Sequence, residues 1–136
     1  MKRLAFSLMI ISVLVFTLSS CQKSLEKQLP GEWWASDVQI EADPAKFDSA
    51  RLNKIKENEE SVYFIFHEDK SVEIITGGTN IKGTWSIGDD KNSIYLVTEV
   101  SRSKLPVLFG KYEDGLIRTE TKGPEGIVIR TAYKER

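Results

Sequence analysis

From Asn80 to Ile87 the chain alternates strictly, with Ile81, Gly83, Trp85 and Ile87 set against Lys82, Thr84 and Ser86. A period of two marks a strand with one face buried and one in water. The same period recurs along the chain. Val38 and Ile40 alternate with Asp37, Gln39 and Glu41 in the second half of a strand over Glu32–Glu41, whose first half holds the pair Trp33-Trp34. That pair leaves the facing of the first half open, and a bulge there would accommodate it. Ser61 to His67 puts Val62, Phe64 and Phe66 on one face and Tyr63, Ile65 and His67 on the other, so both faces are covered. Further strands are expected over Ser71–Thr76, Ser93–Val100, Leu105–Tyr112, Leu116–Thr121 and Ile127–Tyr133, with Pro106 suiting an edge or a bulge.

The punctuation between these runs is that of hairpins. Glu68-Asp69-Lys70, Gly77-Gly78, Gly88 to Asn92, Asp114-Gly115 and Gly123-Pro124-Glu125-Gly126 each supply turn residues, and Asp-Gly is a strong hairpin signal. One segment breaks the pattern. Asp43 can cap a helix and Pro44 suits its first position, after which Phe47, Ala50 and the pair Leu52/Ile55 fall near one face. That helix should end near Asn58 and is the only one expected after the N-terminal segment. About eight short antiparallel strands with one helix after the first predict a mainly β fold, a meander closed as a barrel or folded as a sandwich. A parallel α/β sheet would need a helix repeated between successive strands, and the one expected helix does not recur.

The first residues follow a different rule. Lys2 and Arg3 precede an uncharged stretch from Leu4 to Leu18, interrupted only by Ser7, Ser12 and Thr17. This is short for a membrane-spanning helix and has the layout of a secretory signal. It ends in Leu18-Ser19-Ser20-Cys21, and Cys21 is the only cysteine among 136 residues. An incidental cysteine after an ordinary signal is the bland reading. The tetrapeptide resembles the lipobox of bacterial lipoproteins. The resemblance implies cleavage after Ser20, a diacylglyceryl group on the Cys21 thiol and acyl chains such as palmitate as the membrane anchor. Gln22 is not the Asp that holds enterobacterial lipoproteins at the inner membrane, which by resemblance implies the outer membrane of a bacterial cell envelope. Residues 1–20 are then a signal peptide, 21–28 a lipidated tether and 29–136 the folded domain.

Composition narrows the chemistry. Lys and Arg number 19 against 20 Asp and Glu, so nothing in the charge calls for nucleic acid. A lone cysteine excludes an internal disulfide, and one Cys with one His excludes the usual four-ligand structural zinc sites. No nucleophile has a local catalytic partner, Gly77-Gly78-Thr79 lacks the Lys-Ser/Thr of a phosphate loop, and no cofactor is implied.

Leu29-Pro30-Gly31-Glu32-Trp33 resembles the L-x-G-x-W opening of lipocalin-like domains. Phe64 to Val72 and Gly83-Thr84-Trp85-Ser86-Ile87 resemble the F-x-F-x-x-D-G hairpin and G-x-W-x-I strand of small lipocalin-like lipoproteins common in Bacteroidota. The resemblance spans residues 29 to about 97 and implies an eight-stranded meander barrel. Lys70 stands where the usual turn glycine would be, the domain is short for a full lipocalin, and the helix after the first strand is an addition. An eight-stranded interior is either filled or holds one small ligand. Trp33 (or Trp34), Phe64, Phe66 and Trp85 would fill it; a pocket would be lined by Trp33, Phe66, Trp85, Tyr95 and Leu96.

The remaining candidates have plain alternatives. His67 beside Glu68 and Asp69 could serve a metal or act as a base, but reads as an exposed turn residue. Arg118 and Arg130 could meet an acidic ligand if both faced inward; pairing with Glu120 or water is the alternative. Ser101-Arg102-Ser103-Lys104 is a lid over a barrel mouth or a polar loop. The leading expectation is a membrane-anchored, non-enzymatic module for a small hydrophobic ligand. The other is a structural or interaction subunit of an envelope complex with a filled core, motivated by the mixed apolar faces of 61–67 and 105–112.

Overall fold

Strand-forming residues joined by tight turns leave each strand's next neighbour as its partner, and the chain follows that rule throughout. The computed structural model describes residues 23–136. Eight strands pair in sequence order and the last pairs with the first, giving a closed antiparallel barrel. They are β1 (Gly31–Glu41), β2 (Tyr63–Phe66), β3 (Ser71–Thr76), β4 (Thr79–Ile87), β5 (Ser93–Thr98), β6 (Val107–Glu113), β7 (Leu116–Lys122) and β8 (Val128–Glu135). The expected class, mainly β with a helix after the first strand, is what the chain adopts.

The inner face carries the core. Trp33, Phe64, Phe66, Val72, Trp85, Ile94, Leu96, Ile117 and Tyr133 form one buried cluster, with Phe109 and Tyr112 packed against it. Ring meets ring across the barrel: Phe64 lies 4.5 Å from Phe109 and 5.0 Å from Tyr133, and Phe66 lies 6.1 Å from Trp85 in an edge-to-face arrangement. Such pairs add about 0.5–1.5 kcal/mol each beyond the area they bury. Trp33 is the inward member of the double tryptophan, and Trp34 lies on the outer face, stacked on Tyr63 at 4.0 Å. A register shift between Ala35 and Asp37 lets Trp33 and Val38 share the inner face.

The N-terminal end of the barrel is plugged. Residues 25–28, expected as part of a tether, form a short helix α1 (Leu25–Gln28) that buries Leu25 and delivers the fully buried Leu29 to the core. The helix was not anticipated because only Leu25 and Leu29 in that polar stretch carry an apolar signal. Trp33 Nε1–H donates to the Leu29 carbonyl at 2.8 Å, and Tyr112 Oη–H donates to Gln28 at 3.1 Å. Lys70 secures the β2–β3 turn to the plug, pairing with Glu26 at 3.2 Å and lying 4.0 Å over the Trp85 ring. Its φ of 73° is the left-handed conformation for which the resembled motif uses glycine.

The other end carries α2 (Ser49–Glu60), between β1 and β2. It begins later than expected. Asp43 does accept a hydrogen bond from Ala45 N–H, but it closes a turn, and Asp48 caps the helix by accepting from Arg51 N–H at 2.7 Å. Phe47, expected on the helix, precedes it and is buried. No residue of α2 is buried; the helix packs against β1, and Arg51 reaches Glu125 of the β7–β8 connection at 3.4 Å. Glu59 is drawn out of water here, which raises its pKa. Burial also raises the pKa of Tyr133, and the Glu59 charge adds to that rise.

The β4–β5 turn offers a test of local structure. Asp90 accepts from the Ser93 hydroxyl, from Ser93 N–H at 2.8 Å and from Asn92 N–H at 3.1 Å, which holds its carboxyl at about 2. A carboxylate whose folded pKa is depressed stabilises the fold above its ordinary value of 3.8 and loses that contribution as pH falls toward about 2. Asp90→Asn should therefore lower the Tm at neutral pH and flatten the acid limb of the Tm–pH curve over that interval. Superimposable acid limbs for the two proteins would refute this role for Asp90.

Candidate functional site

A barrel wall is continuous only where neighbouring strands exchange ladder hydrogen bonds, and one seam here does so for a short distance. β6 and β7 pair through Lys111↔Arg118, Tyr112↔Ile117 and Glu113↔Leu116 only. Their turn is as tight as the sequence implies, with Asp114 at φ 52° and Gly115 at φ 78°. Beyond Lys111 and Arg118 both strands continue. β6 stays on β5 as far as Val107↔Leu96, and β7 stays on β8 as far as Lys122↔Val128. Gly110 and Thr119 are still in contact, and beyond them residues 107–109 and 120–122 form two edges that face each other without a ladder. Gly110 sits at the pinch, where a Cβ would stand 2.5 Å from the Arg118 carbonyl oxygen.

Over this seam lies a depression of about 410 Å³, lined by Leu108, Phe109 and Gly110 on one side and Arg118, Thr119 and Glu120 on the other. Phe109 is the extra residue of a β-bulge between Ile94/Gly110 and Tyr95/Leu108, which turns its ring onto the core. The segment above is apolar and exposed: Val100 at 67%, Leu105 at 71%, Val107 at 59% and Leu108 at 51%. The polar loop 101–104 between these residues is braced by its own serines. Ser101 Oγ–H donates to the Ser103 carbonyl at 2.7 Å, and Ser103 Oγ accepts from Leu105 N–H at 3.2 Å.

Of the residues expected to line a pocket, Trp33, Phe66, Trp85 and Leu96 lie together in the buried cluster. Tyr95 is half-buried on the other face of β5, outside that cluster. Cys21 lies outside the described residues. Arg130 does not point inward: it donates to Glu120 and to Glu41, each at 2.9 Å, on the outer face. Arg118 is only loosely paired, 4.0 Å from Glu113. His67 Nε2 lies 2.7 Å from Glu73, whose carboxyl is held low by Asn80 and by His67. Among the described residues no three His, Cys, Asp or Glu side chains gather as a metal site. The seam was not anticipated as a site. Its signal in the sequence is the run Leu105–Gly110, which carries no charge between Lys104 and Lys111.

The fold defines the class of this chain: a small, closed, eight-stranded antiparallel barrel, plugged at its N-terminal end. The chain is similar to the crystal structure of a DUF4847 family protein from Bacteroides vulgatus, with a TM-score of 0.51 at 12% identity, covering 84% of this chain and 99% of that one. The likeness is one of fold. No protein-family model and no curated protein matches the sequence.

Proposed function

We propose that this is a lipid-anchored, non-enzymatic protein of the bacterial cell envelope whose barrel serves as an interaction module for another envelope protein. The lipobox carries the anchoring half of the reading. The exposed run Val100, Leu105, Val107 and Leu108 carries the other half. These four exposed apolar side chains fall within the nine residues 100–108, and a concentration of exposed apolar side chains is what a binding surface needs. The aromatic cluster weighs against the competing expectation of a small hydrophobic ligand inside the barrel. Six rings, Trp33, Phe64, Phe66, Trp85, Phe109 and Tyr133, already share that space.

Two measurements test this. Purified full-chain protein should show no thermal shift with palmitate or other hydrophobic small molecules. A photo-cross-linking side chain at Leu105, introduced in the living host, should give a discrete protein adduct that the same group at Asn53 of α2 does not. A ligand-dependent rise in Tm of several degrees, or identical adduct patterns at both positions, would reject the reading.

A further inference from the structure

The exposed apolar run leads directly into the open seam, and the chemistry of the seam narrows what can occupy it. Each edge presents backbone N–H and C=O groups in the alternating pattern of a strand. Proteins ordinarily guard such edges with charges, bulges or a cover. β6 has a bulge and is preceded by Pro106, yet the run from Leu105 to Gly110 carries no charge; the charges on the facing edge are Glu120, which is paired with Arg130, and Lys122. A hydrocarbon chain would cover the edges and satisfy none of their polar groups. A second folded copy of this chain has no strand to offer with both edges free, because all eight are held in the barrel among the described residues. An extended polypeptide has donors and acceptors on both of its edges and can pair with β6 and β7 together.

We propose that the β6–β7 seam receives an extended segment of a partner polypeptide, about three residues long at ~3.3 Å per residue, as an inserted ninth strand. This rests on the interaction-module reading and specifies its partner. Side chains alternate along the guest strand. Those facing inward meet Phe109 and Thr119, which suits small apolar or β-branched residues. Those facing outward near the pinch meet Lys111 and Arg118. Lys111 has no ion pair among the described residues and Arg118 only the 4.0 Å contact, whereas Arg130 is fully engaged by Glu120 and Glu41. The guest therefore carries an acidic residue at that end. Main-chain pairing supplies affinity and the alternate side chains supply specificity, as in other cases of strand addition.

The test is to pan a phage-displayed library of random twelve-residue peptides on the full-chain protein and to follow backbone amide exchange in 107–109 and 120–122. Enriched peptides should alternate apolar residues and contain an acid. They should slow exchange in both edges and bind at least tenfold more weakly to Leu108→Lys, an exposed position where the charge guards the edge without disturbing the core. Slow exchange of both edges in the free protein would mean that they already pair, and would overturn the proposal while leaving a cross-link at Leu105 unexplained but intact. Failure to enrich, equal binding to Leu108→Lys, displacement of the peptides by palmitate, or a concentration-dependent dimer abolished by Leu108→Lys would also overturn it.

Discussion

Replacing Trp33 with alanine is expected to unfold a large fraction of the protein at physiological temperature. The side chain is 2% exposed and lies at the floor of the barrel. Its loss removes the burial of a large aromatic and leaves a cavity, a combination that costs about 3–5 kcal/mol. It also strands the Leu29 carbonyl, which accepts the indole N–H at 2.8 Å, at a further cost of about 1–3 kcal/mol. The edge-to-face contact with Tyr112 at 6.2 Å goes as well. Small domains have only about 5–15 kcal/mol in total. Trp33→Phe keeps a six-membered ring but loses the rest of the indole and its N–H donor, so its urea midpoint should fall between wild type and Trp33→Ala. Trp34→Ala, on the outer face, should cost far less than Trp33→Ala. A midpoint for Trp33→Ala equal to that of Trp34→Ala would refute the assignment of Trp33 to the core.

The same pair of tryptophans marks where the sequence stops being legible. Alternation read backward from Ile40 and Val38 reaches Ser36 and Trp34, so unbroken periodicity would point Trp34 inward. The register shift between Ala35 and Asp37 reverses that parity, and a bulge is a matter of pairing with β8 that no local pattern encodes. Where one face is covered and the strand regular, as in β4, the burial follows the sequence residue by residue: Trp85 is buried between the exposed Thr84 and Ser86. The turns were equally legible, since left-handed conformations at Asp114 and Gly115 are what that dipeptide favours. The helix start was misplaced because Asp43 and Asp48 both bind a following backbone N–H, and only the chain's path shows that the first closes a turn. The β6–β7 seam is the hardest case. Both strands have ordinary strand composition, and their failure to pair beyond Lys111 and Arg118 is a property of how each is held by its outer neighbour.

Changing Cys21 to alanine is expected to release the protein from membranes altogether. The anchor in the proposed function is covalent lipid on this one thiol. Two or three acyl chains hold a protein stably, whereas a single myristoyl-length chain gives only about 10⁴ M⁻¹. The fold adds a geometric consequence. Because α1 begins at Leu25 and buries that residue, only residues 22–24 separate Cys21 from the barrel floor. Over the four steps from Cys21 to Leu25, at no more than about 3.5 Å per residue, the plugged end stays within roughly 14 Å of the acyl-bearing residue. Successive hairpins then place the β5–β6 loop, with Val100 and Leu105, at the end of the barrel away from the lipid, facing whatever lies beyond the membrane surface. Fractionation of cells expressing each form tests the anchor: wild type should pellet with membranes and its N-terminal peptide should carry the mass of the acyl groups. Cys21→Ala, expressed behind a signal that an ordinary signal peptidase removes so that the apolar Leu4–Leu18 stretch does not itself hold the chain, should appear in the supernatant without added mass. A variant that pellets as wild type does would show that something other than lipid on Cys21 holds this protein at the membrane.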